Sequence, residues 1–192
     1  LLVFLSNLDW SASNHLFQKI FYSGYVGVSF FFVLSGFVLS YSYQEKILKG
    51  DITFKKYFFL RFARLTPLHF GTALPIIGLA LYFGNFNLSY LILNLSYMQS
   101  WIPNSTIYYS FNAPSWSLSN EMFFYLCFFF LVKIPLSSLL RFGALLLLTV
   151  FVSALVVTLF LDDLKLYGNS TLAHWMFYIF PGFRLLEFIA GM

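Results

Sequence analysis

Two arginines separated by two residues, Arg61 and Arg64, lie in a stretch otherwise rich in phenylalanine and leucine. One charge near a bilayer centre costs at least ~2.5–3.5 kcal/mol on insertion scales, so a membrane span seldom keeps two without a use for them. Residues three apart share one face of a helix, and a guanidinium group suits phosphate or carboxylate oxygens. The pair therefore predicts a site for an anionic ligand at a membrane interface. The alternative is that both arginines anchor a helix end by reaching back to the headgroups, since Lys55 and Lys56 are close by.

The second candidate for chemistry is the carboxyl group of Glu121, which lies at the start of a later apolar stretch. Pro114 and the serines around it predict a helix start, with Glu121 in the first turn of the apolar helix that follows. The helix dipole alone would favour an acidic residue in that turn. A carboxyl group at a membrane boundary beside Trp116 would also have a raised pKa and could transfer protons. Glu121 is therefore a predicted catalytic residue.

The three histidines are His15, His69 and His174, and a single histidine is more often packed or interfacial than catalytic. His15 has the best case for catalysis, because it lies in a predicted loop before a glycine-containing helix start. Cys127 is the only cysteine, so the sequence predicts neither an intrachain disulfide nor a cysteine-based metal site, and no other metal-ligand pattern is present.

The composition restricts the class of protein that can position these groups. The chain is 60% hydrophobic, 23% aromatic and only 9% charged, whereas a soluble domain has about 25% charged residues. It is therefore predicted to be an all-α, polytopic transmembrane helical bundle. The net charge of +4 does not indicate nucleic-acid binding, because most of the cations lie in one predicted loop. Without internal repeats, residues 1–192 are predicted to form one domain, truncated at both ends because each end lies in an apolar stretch.

The predicted spans are separated by loops of unequal charge. The apolar segments are residues 1–8 (the end of a span), 24–43, 58–83, 119–132, 136–161 and the part from 172 onward. The positive-inside rule places the lysine-rich loop 44–57 in the cytoplasm and the loop 9–23 outside. The basic linker 133–141 is also inside only if the short segment 88–98 does not cross. We therefore predict that 88–98 is re-entrant or interfacial; if it crosses instead, Lys133 and Arg141 would be outside.

Several stretches of the sequence, in the same order along the chain, resemble the acyltransferase 3 family of membrane enzymes. Those enzymes typically O-acetylate cell-surface polysaccharides, lipopolysaccharide and related glycans. The matching stretches are LLVFLS at 1–6, GYVGVSFFFVLSGF at 24–37, the two arginines with Pro67, WSLSNE at 116–121 and FPGFRLLE at 180–187. The resemblance implies a multi-pass O-acyltransferase of the plasma (inner) membrane, in contact with membrane lipid. Its expected reaction moves an acyl group, typically acetyl, to a hydroxyl of a carbohydrate or glycolipid acceptor. The resemblance implies no bound cofactor, and acetyl-CoA or another acyl-CoA as co-substrate.

The same resemblance implies roles for particular residues. Arg61 and Arg64 would bind the phosphates of the donor, and Glu121 would orient a base or move a proton. Trp116 would stack on a sugar ring, and Ser119 beside it is a further predicted substrate-binding residue.

One position departs from the family pattern. The family usually has a histidine just after a stretch like LVFLS, and that histidine looks like the general base for the acceptor hydroxyl; here the position is Asn7. Asparagine has no group that titrates near pH 7, although it could orient a substrate by hydrogen bonds. Three explanations remain open: His15 substitutes as base, the acyl route differs, or this copy is weak or inactive. The functional alternatives are a catalytically inactive membrane binding relative and a transporter. Transporters tend to have inverted repeats and ionisable residues midway along their spans. This sequence has no internal repeats and its charges cluster at the predicted span ends, which disfavours a transporter.

Overall fold

The computed structural model describes residues 24–161 and 170–192, and the regular secondary structure in these two ranges is helical. The helices are α1 (Gly24–Leu48), α2 (Phe54–Tyr82), α3 (Leu88–Leu95), α4 (Ser105–Tyr108), α5 (Trp116–Leu131), α6 (Leu136–Phe160), α7 (Leu172–His174) and α8 (Pro181–Gly191). Short 3₁₀ turns at Gln99–Trp101 and Ala113–Ser115 and a π-helical turn at Trp175–Ile179 complete the path. The predicted all-α class is confirmed, while the predictions for residues 1–23 lie outside the described residues.

Three of the described helices are long and apolar enough to cross a membrane: Val26–Leu48 in α1, the whole of α2 and the whole of α6. At about 1.5 Å per residue, each exceeds the ~30 Å hydrocarbon core of a bilayer. Large apolar side chains cover their outer surfaces, and Val157 is the only buried residue of α6. An exposed surface of this kind is suited to lipid.

The charged segment 44–57 is mostly helical, so its prediction as a loop was wrong. Helix α1 continues to Leu48 and α2 begins at Phe54, which leaves only a short turn with Gly50 at φ 78°. Glu45 and Lys49 form an i,i+4 ion pair of 2.5 Å, and Thr53 caps α2. Because the helices extend past the apolar stretch, Arg61 and Arg64 lie in the second and third turns of α2 rather than at its entry.

Helix α3 has eight residues and is about 12 Å long, too short to cross the hydrocarbon core as a helix. Polar side chains then hold the connection between α2 and α5 in place. Asn94 Nδ2 donates to the carbonyl of Ser110 at 3.0 Å and to Ser115 Oγ at 3.1 Å. Gln99 Nε2 donates to the carbonyl of Ser115 at 3.0 Å, and Ser100 Oγ to that of Trp116 at 2.8 Å. These bonds fix the start of α5. The re-entrant or interfacial position predicted for 88–98 stays a prediction.

The aromatic core lies where α5 meets α1 and α8. Ten of the sixteen residues of α5 are buried, so this is the central helix of the described part of the chain. The Phe124 ring packs edge-on against Phe32 of α1 and stacks on Phe188 of α8, each with ring centroids 5.0 Å apart. Such ring pairs add about 0.5–1.5 kcal/mol to the area that they bury. The core therefore fixes α5, which carries Glu121, relative to α1.

Candidate functional site

A pocket of about 360 Å³ lies between α1, α2 and α5. Its polar lining comes from Arg61 and Arg64 of α2, Glu121 and Tyr125 of α5, and Ser35 of α1. The rest of the wall is apolar and consists of Phe31, Leu34, Val38, Leu39, Leu65, Leu68 and Leu118. We call this space the arginine pocket. It brings the predicted pair Arg61 and Arg64 together with Glu121, which was predicted from a different part of the sequence.

The Arg61 guanidinium is held by a tyrosine. Its Nη2 donates to the Tyr43 hydroxyl, and its central carbon lies 4.5 Å from the centroid of the Tyr43 ring, a cation–π geometry. Arg64 is exposed and lines the same pocket. The ion pairs among described residues involve neither arginine. Within the described part of the chain, Glu121 is the one carboxyl group that lines this pocket, and it interacts electrostatically with both arginines without forming an ion pair. Two positive charges therefore face one carboxyl group, and the excess positive charge can attract an anion.

The carboxyl group of Glu121 lies in the wall of the same pocket. Only 3% of the residue is exposed, and its Oε2 accepts a hydrogen bond of 3.1 Å from the Tyr125 hydroxyl. Its predicted position in the first helical turn was wrong: α5 begins at Trp116, after the turn that contains Pro114, and its first turn has no acidic residue. Because dipole effects fade beyond the first turn, the helix dipole explains this buried carboxyl group poorly.

Trp116 and Ser119, the two predicted substrate-binding residues, do not line the arginine pocket. The Trp116 side chain is buried and packs against Phe32 and Tyr178, with ring centroids 6.4 and 4.9 Å apart. Ser119 Oγ donates to the carbonyl of Tyr97 at 2.6 Å and lines a separate space of about 210 Å³. Both side chains therefore have packing or hydrogen-bonding partners within the protein, and their substrate-binding roles stay predictions.

Asn7 and His15 lie outside the described residues. The other two histidines are placed away from the arginine pocket. His69 is fully buried, with Nε2 3.0 Å from the carbonyl oxygen of Asn94, and His174 Nε2 lies 3.1 Å from the Tyr109 hydroxyl. Within residues 24–161 and 170–192, no group of three or more His, Cys, Asp or Glu side chains could hold a metal ion.

Four residues that contact charged groups were given no role from the sequence. Tyr125 follows Glu121 by four positions, a helical spacing that could have been recognised. Arg184 and Glu187 are three apart in an apolar segment, which is also a visible signal for a buried pair. Tyr43 contacts Arg61 from another helix, and nothing in the sequence indicates that contact.

Comparisons with known proteins point to one family. A family model described as an acyltransferase domain matches residues 1–192. Acyltransferase MdmB of Streptomyces mycarofaciens is 36% identical over 181 residues, which are 88% of this chain and 45% of that protein. Protein 2 in picA locus of Rhizobium radiobacter is 44% identical over 61 residues, 32% of this chain and 30% of that protein. The chain thus spans less than half the length of these relatives, and no solved structure matches it.

Proposed function

The chain belongs to the acyltransferase 3 family, and we propose that it forms the transfer site of an enzyme that moves an acyl group from acyl-CoA to a hydroxyl group of a cell-surface carbohydrate or glycolipid. The family and the three long apolar helices make it an integral membrane protein. Our proposal includes a multi-pass arrangement in the plasma (inner) membrane and acetyl as the acyl group. The observation that carries the proposal is the pocket that unites Arg61, Arg64 and Glu121.

The two arginines would bind the phosphate groups of the donor. Arginine forks match phosphate oxygens in pairs. Neither Arg61 nor Arg64 forms an ion pair among the described residues, and the two positive charges of the pocket exceed its one carboxyl group. The apolar wall that α1 contributes offers a surface for the uncharged part of the donor, which leads to the thioester. This combination of a cationic side and an apolar side supports acyl-CoA over a free phosphate ion.

Glu121 would accept or transfer the proton that leaves the acceptor hydroxyl group. The acceptor hydroxyl oxygen attacks the thioester carbonyl carbon, so that a C–O bond forms, the C–S bond breaks and the coenzyme thiolate leaves. The hydroxyl proton must go to a base and finally to that thiolate. Because Tyr125 occupies Oε2 of Glu121, the other oxygen of that carboxylate is available as base, directly or through His15. A base in this position typically accelerates transfer by roughly 10²–10⁴-fold.

The proposal is tested by acetyl transfer from labelled acetyl-CoA to surface glycan in cells that carry the full-length protein. We expect Arg61→Ala and Glu121→Gln to lose transfer at unchanged protein levels. The matched control is Arg141→Ala, an exposed arginine of α6 that does not line the arginine pocket. Full transfer by Arg61→Ala would refute the donor-binding role, and full transfer by Glu121→Gln would refute the proton-transfer role.

The second candidate function is a binding relative without catalysis, and Asn7 is the observation that favours it. Adding Asn7→His to the same assay separates the two candidates. If the wild-type protein transfers acetyl, asparagine is a tolerated variation at this position. If transfer requires Asn7→His, this chain belongs to an inactivated acyltransferase.

A further inference from the structure

A second charged centre lies away from the arginine pocket, between α1 and α8. Arg184 of α8 is 6% exposed, and its Nη1 donates to Glu187 Oε1 at 2.6 Å. Both terminal nitrogens of Arg184 also lie 3.3 Å from the hydroxyl oxygen of Ser29 on α1. The guanidinium carbon is 5.1 Å from the ring centroid of Phe32 and 5.3 Å from that of Tyr178. One ion pair on α8 thus holds two consecutive turns of α1, at Ser29 and Phe32.

Farther along, the same two helices touch through their backbones. A methyl group built on Gly36 would lie 2.1 Å from the carbonyl oxygen of Phe188, and one on Gly191 would lie 1.9 Å from that of Val33. Helices that pack this closely need glycine at the crossing. Ser29 and Gly36 are two turns apart on α1, as Arg184 and Gly191 are on α8. The helices are therefore fixed to each other at two levels, one polar and one backbone-to-backbone.

This double attachment controls which side of α1 faces the arginine pocket. Phe31, Leu34, Ser35 and Val38 line the pocket, and their i, i+3, i+4, i+7 spacing defines one face of the helix. Ser29, Phe32 and Gly36 form the face toward α8. A rotation of α1 would move both faces together, because a helix turns as a rigid unit. The contact at Arg184 therefore acts on the pocket wall without touching the pocket.

We propose that Arg184 and Glu187 are positioning residues that fix the rotation of α1 and so set the shape of the arginine pocket for its donor. A buried ion pair is costly to form and often contributes little to stability compared with apolar residues of similar volume. Its value here is a directional, forked contact with Ser29, which apolar packing does not supply. The part of this inference that concerns the donor rests on the proposed function.

The test uses the double variant Arg184→Met/Glu187→Leu, which removes the pair without leaving an unpaired buried charge. The matched control is Glu45→Gln/Lys49→Gln, which removes the exposed ion pair between α1 and the following turn. Two quantities are measured on purified full-length protein in nanodiscs. The first is the Kd and stoichiometry of acetyl-CoA binding. The second is the rate at which N-ethylmaleimide labels Val28→Cys, read at that residue by mass spectrometry; Val28 is buried beside Ser29.

We expect the double variant to raise the Kd about tenfold or more at full stoichiometry, because small displacements of a binding wall are expensive. We also expect labelling at position 28 to become roughly fivefold faster, since the reagent reacts only when α1 opens locally. A purely structural role would instead lower the stoichiometry and leave the Kd of the folded molecules unchanged. Wild-type Kd or wild-type labelling in the double variant would overturn the inference.

If the wild-type protein binds no acetyl-CoA, the donor part of the proposed function fails. The labelling experiment then decides the positioning role alone: faster labelling in the double variant supports it, and an unchanged rate overturns it.

Discussion

Replacing Gly36 by alanine is the sharpest test of how α1 and α8 pack. The added methyl carbon would lie 2.1 Å from the carbonyl oxygen of Phe188 and 3.1 Å from its carbonyl carbon. Carbon–oxygen contacts between packed helices are about 3.3–3.6 Å, so the helices would have to separate by roughly 1.2 Å. The obstacle is backbone and cannot change rotamer. Overpacking of this kind typically costs about 1–3 kcal/mol, and we expect a loss near the upper end, because interhelical packing is a main source of stability in membranes.

The measurement is the free energy of unfolding of the full-length protein in mixed micelles, titrated with SDS. Gly71→Ala and Gly78→Ala on α2 are the matched controls, because an added methyl group at either position meets no atom within 4 Å. We expect the controls to match the wild type or to gain up to about 1 kcal/mol from helix propensity. If Gly36→Ala is as stable as Gly71→Ala, the close contact between α1 and α8 does not exist in the protein.

Two further variants test the polar contacts of α5. Tyr125→Phe removes the donor to Glu121 Oε2. We expect acetyl transfer by the protein saturated with acetyl-CoA to fall about tenfold, because a hydrogen bond to a charged group is worth ~1.5–3 kcal/mol. An unchanged transfer rate would contradict this role. Asn94→Leu leaves the buried Ser115 hydroxyl and the Ser110 carbonyl without their hydrogen-bond donor. Because an unsatisfied buried polar group is costly, we expect the free energy of unfolding to fall by about 1–3 kcal/mol. The control is Asn87→Ala, which removes an exposed cap of α3, and a loss no larger than the control's would show that the buried bonds contribute little.

The helical class and the long helices follow from composition and from the length of apolar segments, which depend only on local sequence. The helix ends do not. Lys46 and Lys55 are charged and were assigned to a loop, yet both are helical. Hydropathy reports where the bilayer core ends, whereas a helix ends where its capping bonds are made, here at Thr53 for the start of α2. For the same reason, Arg61 and Arg64 lie farther from the start of α2 than from the start of the predicted apolar segment 58–83.

The arrangement around Glu121 was only half predictable. Trp116 and Ser119 were grouped with it because they are close in sequence. At about 100° per residue, Trp116 points roughly 140° away from Glu121 and Ser119 roughly 160° away, whereas Tyr125 lies within about 40°. The structure follows this geometry: Tyr125 and Glu121 share the arginine pocket, and Ser119 lines the separate space. Tyr43 could not have been found in this way, because its contact with Arg61 depends on how α1 and α2 pack.

The charge of Arg184 and the charges of Arg61 and Arg64 are balanced to different extents within the apolar helical bundle. Arg184 forms an ion pair with Glu187, three residues away, and its two terminal nitrogens also contact Ser29, so its charge is balanced within the protein. Arg61 contacts the hydroxyl and the ring of Tyr43, and neither Arg61 nor Arg64 forms an ion pair among the described residues. Simple anchoring explains this poorly, because Arg61 lies about 10 Å along α2 from Phe54, and its guanidinium turns to Tyr43 of α1. The two positive charges of the arginine pocket face the single carboxyl group of Glu121, so an excess positive charge remains for an anionic ligand. This contrast favours a binding role for Arg61 and Arg64 and a positioning role for Arg184.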